Sequence, residues 1–364
     1  MSQQAAPGSH AGNGLPTAAQ PQRNVDPLPD TARVGAGGSP RGNLAALDLG
    51  TNNCRLLIAR PEGEGFVIVD AFSRIVRLGE GLSNVGRLSD AAMERTISAL
   101  SVCADKLRRR RVVLARSVAT EACRRAVNGA EFVDRVHRET GIMLDIISAQ
   151  EEARLAVLGC QSLLEPGDGP ALIFDIGGGS TELALLGASG GIVDWQSAPW
   201  GVVSLTEAVH GHEDSAAGRA AAYAQMREKM REAFAAFAAR LPTEGPVRLL
   251  GTSGTVTTLA TVFLGLPKYD RQAVDGLIVP APDMRGIAER LSGMSITERK
   301  GLPCIGEERA DLVVAGCAIL ESILDIWPAD RLGVADRGIR EGILRSLLDS
   351  NALRRGRFRP ANGQ

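Results

Sequence analysis

Lysine is almost missing from this chain of 364 residues: Lys106, Lys229, Lys268 and Lys300 are all there are, and arginine carries the rest of the positive charge. Arginine's planar, always-charged fork suits bidentate phosphate recognition, although genome composition explains the same bias. Net charge is missing too, the acids and bases balancing to −1. That excludes a protein that coats DNA or anionic membrane over its whole surface and leaves room for a local cationic cleft. No run approaches the roughly 18 apolar residues of a membrane span, and the N-terminus lacks the charged-then-apolar order of a signal peptide. The expected compartment is therefore the cytoplasm, with neither DNA nor membrane as partner. Paired cysteines are absent: Cys54, Cys103, Cys123, Cys160, Cys304 and Cys317 stand singly, which excludes a zinc ribbon or dithiol motif and reads as reduced, mostly buried thiols. Histidine is limited to His10, His137, His210 and His212, without H-E-x-x-H or a third ligand in register, so no histidine metal site is expected.

What is present is α/β alternation. Residues 1–42 are rich in Ala, Gly, Pro, Gln and Ser and hold no aromatic side chain, too little apolar area to offset ordering entropy, so a disordered leader is expected. Leu44–Leu47 and Cys54–Ala59 then read as a hairpin around D-L-G-T-N-N. Helical spacing follows at Asp90–Arg110, a strand at Val112–Val118, a helix near Glu131–Thr140, a strand at Leu144–Ile147 and a helix at Glu151–Leu164. After the loop Glu165–Pro170 the pattern restarts, with strands Ala171–Phe174 and Thr181–Leu186 around D-I-G-G-G-S. Aligned, the hairpins set Asp48 on Asp175, Gly50 on Gly177 and Arg55 on Glu182. Helices at Ala216–Arg240, Val256–Leu264, Met284–Met294 and Arg309–Ile326, and a strand at Val247–Leu250, complete the second half. The expectation is two like-folded lobes, residues 43–168 and 169–335, facing a central cleft. An amphipathic helix near Ile339–Leu348, within 336–352, would return to the first lobe, leaving 353–364 as a tail.

Small and polar turn residues let backbone N–H groups approach an anion. The first loop offers Asp48, Gly50, Thr51, Asn52 and Asn53, and the second Asp175, Gly177, Gly178, Gly179, Ser180 and Thr181. One such turn is equally an Asx-capped bend; two at matching places carry the phosphate reading. A third, Gly251-Thr252-Ser253-Gly254, leads from strand into helix, where free N–H groups and the helix dipole favour an anion. It lacks the Walker A lysine, and a plain capped turn fits it too. Carboxylates at Asp48 and Asp175 would repel a phosphate unless a cation such as Mg²⁺ intervenes. Glu121, at a strand's carboxyl end, is placed to activate a water for attack on phosphorus, or else to open a helix with Thr120 as cap. Arg124 and Arg125 lie one turn on, where one of them would face the same anion. Inward-facing Arg55 and Glu182 would bring a base and an acid to opposite walls. The run Arg108–Arg111 suits a polyanion, yet also the solvated negative end of a helix.

Taken in order, L-D-L-G-T-N-N-C-R-L-L-I-A, V-R-L-G-E-G-L, A-T-E-A-C-R-R-A-V-N, I-I-S-A-Q-E-E-A-R-L, F-D-I-G-G-G-S-T-E-L, G-T-S-G-T-V-T-T-L-A, E-R-A-D-L-V-V-A-G-C-A-I-L and A-D-R-G-I-R-E-G-I-L resemble the Ppx/GppA family of exopolyphosphatases and guanosine pentaphosphate phosphohydrolases. The resemblance implies two actin-like, ribonuclease H-like domains, as in sugar kinases and heat-shock chaperone ATPases. It also implies Mg²⁺-dependent hydrolysis of terminal polyphosphate anhydrides or of the 5′-phosphate of pppGpp, guanosine penta- or tetraphosphate as ligand, and a homodimer. Glu121 resembles the family's water-activating acid, Asp175 and Glu182 its metal-linked acids, and Arg55 its substrate-binding arginine. Where members often read V-H-G, this chain has Val274-Asp275-Gly276, and it resembles the short two-domain members. A non-catalytic alarmone-binding regulator and an actin-like kinase or ATPase stay open as alternatives.

Overall fold

The computed structural model describes residues 42–209, 215–241 and 248–354. The leader through residue 41, the tail from 355, and His10, His210 and His212 lie outside the described residues. The first sheet comprises β1 (Asn43–Leu49), β2 (Asn53–Glu62), β3 (Gly65–Ile75), β4 (Val112–Ala119) and β5 (Asp145–Ile146) in the order β3-β2-β1-β4-β5. The second comprises β6 (Ala171–Ile176), β7 (Thr181–Leu186), β8 (Ile192–Ala198), β9 (Arg248–Thr252), β10 (Ile278–Pro280) and β11 (Arg331–Ala335) in the order β10-β11-β9-β6-β7-β8. Each sheet starts with an antiparallel meander and adds parallel strands beside its first strand. Apart from β10 the two orders coincide, which is the doubled actin-like α/β fold.

Alternation in β1 explains why helices cover both faces of its sheet. Ala45, Leu47 and Leu49 bury against Met93, Ile97 and Leu100 of helix Asp90–Arg109 and Phe132 of helix Gly129–Thr140. Leu44 and Ala46, on the other face, meet Leu155, Ile343 and Leu344. In the second sheet Leu172 and Phe174 pack on helices Ala216–Ala238 and Val313–Ile326 through Met230, Phe234 and Ile319. Ala171 and Ile173 meet Val157 and Cys160. Helix Ala149–Cys160 thus lies between the lobes, Leu155 on the first and Val157 on the second.

Ser148 caps that helix, accepting a hydrogen bond from Glu151 N at 3.2 Å, and so fixes Glu151 and Glu152 in its first turn. The returning helix, Ile339–Arg354, crosses it at closest range. A Cβ on Gly159 would stand 1.9 Å from Gly338 O, and one on Gly342 2.0 Å from Leu155 O. Gly342→Ala must therefore part the helices, and overpacking of this kind costs roughly 1–3 kcal/mol. The expected outcome is a melting midpoint lower by roughly 3–10 °C; an unchanged thermal melt would show that the crossing is not tight.

The arginine run follows the solvated reading. Arg108 pairs with Asp105, and Arg110 Nε donates to Asp70 at 2.8 Å, all at the exposed C-terminal end of helix Asp90–Arg109. All six cysteines are free and, except for half-buried Cys304, buried. The helix expected from Arg309 begins only at Val313, residues 307–312 forming turns.

Candidate active site

The two Asp-x-Gly hairpins fold in the register the repeat implies. Asp48 pairs with Arg55 across β1 and β2, and Asp175 with Glu182 across β6 and β7. Because paired residues point to the same face of a sheet, each hairpin sends two functional side chains into the cleft. Gly50 N donates to Asn53 O at 2.9 Å and Gly177 N to Ser180 O at 2.9 Å, so the turns close alike. Their tips touch. A Cβ on Gly179 would sit 2.7 Å from Thr51 Oγ1 and 3.0 Å from Glu121 Cγ, and one on Gly178 3.1 Å from Asn52 N. Glycine there is what lets the lobes meet around a cavity of about 120 Å³.

Asp48, Gly50, Thr51, Asn52, Asn53, Arg55, Glu121, Asp175, Gly177, Gly178, Gly179, Ser180, Glu182, Ser253 and Gly254 all line that cavity. Thr181, Gly251 and Thr252 do not. Thr181 is fully buried and donates to Trp200 O at 2.7 Å. Gly251 lies inside β9, where a Cβ would meet the Phe174 ring at 2.6 Å. Thr252 Oγ1 donates to Arg337 O at 2.7 Å. Alternation turns Thr181 and Gly251 toward the core, whereas Thr252, opposite Asp175, spends its hydroxyl on Arg337, so none of the three lines the cavity. Arg124 and Arg125 are outside the lining as well. Arg124 bridges acids instead, its Nε donating to Glu121 Oε2 at 3.0 Å and its Nη1 to Glu152 Oε2 at 3.1 Å. Thr120 makes no side-chain cap.

Sequence reasoning missed Glu152 and Arg309. Glu152 is only 6% exposed. Burial, then the charge of Glu182, pushes its carboxyl well above the usual range, with Arg124 opposing. Arg309, reaching in from the turns before Val313, donates to Thr258 Oγ1 at 2.8 Å. Arg55 Nη2 and Arg309 Nη1 lie 3.5 and 3.9 Å from where a Cβ on Gly254 would stand, at the N-terminus of helix Gly254–Phe263. Neither guanidinium has a carboxylate ion pair among the described residues. Asp275, in the departing V-D-G, binds Arg337 Nε at 2.8 Å and Asp336 N at 3.0 Å, away from the cavity.

The same cavity also gathers acids. Burial pushes Asp175 up to about 6 against the pull of Arg55. Burial, then the charge of Asp175, pushes Glu182 up to about 7, while Ser197 donates to Glu182 Oε1 at 2.8 Å. Asp48 is also raised by burial, and its Oδ1 is buried without a hydrogen-bond partner.

The family model of the Ppx/GppA phosphatases matches residues 57–351. The chain belongs to the Ppx/GppA phosphatase family. Over 319 residues it is 32% identical to exopolyphosphatase 2 of Mycobacterium tuberculosis, covering 84% of this chain and 98% of that protein. It is 30% identical to the guanosine-5′-triphosphate,3′-diphosphate pyrophosphatase of Aeromonas salmonicida, covering 84% of this chain and 60% of that longer one. The Aquifex aeolicus Ppx/GppA family member superposes with a TM-score of 0.70 at 29% identity, over 85% of this chain and 98% of that one. An exopolyphosphatase from Cytophaga hutchinsonii gives 0.77 at 25% identity, over 85% and 98%. In this Ppx/GppA phosphatase, no helix among the described residues is long and apolar enough to cross a membrane.

Proposed function

We propose that this phosphatase releases terminal orthophosphate from inorganic polyphosphate, or the 5′-phosphate of pppGpp, by direct attack of water. The observation that carries the reading is one cavity that gathers the guanidiniums Arg55 and Arg309, which have no ion pair among the described residues, with the acids Asp48, Asp175, Glu182 and Glu152. A substrate that satisfies both sets is a phosphate polyanion accompanied by a cation. Mg²⁺ fits the acids. Carboxylates raised by burial and the unpartnered Asp48 Oδ1 are relieved by a hard cation, and Asp175 and Glu182, with Asp48 alongside, would hold it. Among the described residues no three His, Cys, Asp or Glu side chains form a ready ligand cluster, so waters and phosphate oxygens would have to complete the ion's shell. When bound, it neutralises charge on the phosphoryl oxygens.

Arg55, Arg309 and the helix N-terminus at Gly254 bind and orient the phosphates. The glycine loops allow close backbone approach. Water activation falls to Glu152 in place of the Glu121 expected from the sequence. Glu152 lines the cavity, and Arg124 holds its Oε2 at 3.1 Å, which leaves the other oxygen to take the water's proton. Glu121, gripped by Arg124 and 3.7 Å from Arg125 Nε, positions Arg124. The leaving group is a phosphate, so positioning and charge stabilisation suffice without a covalent intermediate. The test is phosphate release by purified protein with Mg²⁺, given long-chain polyphosphate and pppGpp in parallel. Release from at least one is expected; release from neither, with alarmone still bound tightly, would replace the hydrolase by a regulator.

A further inference from the structure

The V-R-L-G-E-G-L motif plays no part in the chemistry above, yet its residues touch both sides of the cleft. Val76 N and Arg77 N both donate to Asn52 O, at 2.8 and 3.0 Å, and Gly79 N donates to Thr51 O at 2.9 Å. Arg77 then turns the chain with φ +48°, a left-handed conformation uncommon for a residue with a side chain. The segment therefore props the first phosphate loop from behind.

The Arg77 side chain leaves in the other direction and crosses to the second lobe. Nη1 donates to Asp311 Oδ2 at 3.0 Å and Nη2 to Asp311 Oδ1 at 3.4 Å, a two-pronged grip. Nη2 also donates to Glu308 O at 3.3 Å. Glu308 and Asp311 flank Arg309. A little further on, Gly81 N donates to Glu207 Oε1 at 2.7 Å, docking the same segment on the second lobe again. The backbone of the turns at 307–312 is tied to its own lobe, Leu312 N and Val313 N donating to Arg309 O and Arg299 Nε to Ala310 O, but the Arg309 side chain makes one hydrogen bond there, to Thr258. It must also stay beside Arg55, a like charge that pushes it away. The grip of Arg77 on both sides of Arg309 adds a restraint from the first lobe.

We infer that Arg77 is a positioning residue for substrate phosphate: by clasping Asp311 and the Glu308 carbonyl it sets Arg309 beside Arg55 and ties that placement to the Thr51–Asn53 loop. The inference rests on the reading of Arg55 and Arg309 as the phosphate-binding pair. Its consequence is that affinity for substrate depends on the lobes being clasped, because the second lobe's cation is aimed by a first-lobe side chain.

The experiment is steady-state kinetics on the better substrate for Arg77→Ala, Asp311→Ala, Arg309→Ala and the double variant Arg77→Ala with Arg309→Ala, each checked for folding by thermal melt. Arg77→Ala and Asp311→Ala should each raise KM about threefold to fivefold with kcat within about twofold, the upper part of the range for loss of a partly exposed ion pair. Arg309→Ala should raise KM more. Added to Arg309→Ala, the Arg77 change should raise KM by less than about twofold, because residues acting through one another are not additive. Arg77→Lys, which keeps one prong, should recover part of the affinity. A KM penalty for Arg77→Ala that is equal with and without Arg309 overturns the inference and leaves the site reading standing. An unchanged KM in Arg309→Ala removes the site reading and the inference together. Should Arg77→Ala fail to fold, Asp311→Ala carries the same comparison.

Discussion

Glu152→Gln is expected to lower kcat by about 10²–10⁴-fold, the usual worth of a positioned general base, with KM within a few-fold of the parent. The change keeps side-chain volume and an oxygen for Arg124 while removing the proton acceptor. Glu121→Gln is expected to cost less than about tenfold, because Glu121 spends its charge on Arg124 and Arg125, and Arg124 would still bond Glu152. The pair is diagnostic as a pair. A loss of 10² or more in Glu121→Gln beside near-parental turnover in Glu152→Gln would return the base to Glu121. Rate against pH supplies a second readout. Burial raises the Glu152 carboxyl well above the ordinary range, so the parent enzyme should lose activity on the acid side as that group takes up its proton. Glu152→Gln should retain a residual rate without that limb.

The hairpins were legible because a turn fixes register. Once Asp-x-Gly sets the bend, Asp48 must face Arg55 and Asp175 must face Glu182, and both pairings are found. The limits of the same logic appear at Thr181, on the far side of its strand's alternation, and at Thr252, which stands opposite Asp175 but spends its hydroxyl on Arg337 O. β3 went unread because it is a sheet-edge strand, half-exposed over most of Gly65–Ile75, without the apolar-polar alternation that betrays a buried strand. Glu152 and Arg309 were missed for another reason. A glutamate in the first turn of a capped helix reads as a dipole partner, and nothing local says that this turn lies between the lobes. That follows only from Gly159 meeting Gly338 and Gly342 far along the chain. Arg309 likewise read as the start of a helix. Its access to the cleft depends on the turns at 307–312 and on Arg77, contacts separated by more than 200 residues.

Stability should carry the mark of the cavity's acids, with a sign that separates them from ordinary salt-bridged carboxylates. Asp175 and Glu182 have folded-state values of about 6 and about 7, above their ordinary 3.8 and 4.5. A group whose affinity for protons rises on folding adds stability that is complete below its unfolded value and is lost as pH climbs through the folded one. The metal-free protein should therefore lose stability between about pH 4 and pH 8, on the order of 3 kcal/mol for each group. Asp175→Asn and Glu182→Gln should each flatten that slope, since the amide buries no charge at any pH. Mg²⁺ binds the ionised acids, so its stabilisation grows with their ionisation and follows the logarithm of free ion over Kd. The rise in melting temperature on adding Mg²⁺ should be larger at pH 8 than at pH 5.5, and smaller in both variants. Equal slopes in parent and variants, measured by denaturant unfolding across that range, would show that the two carboxyls are not raised by burial. A Mg²⁺ effect that ignores both substitutions would move the cation to other ligands, because relief of Asp175 and Glu182 is the reason it is placed beside them.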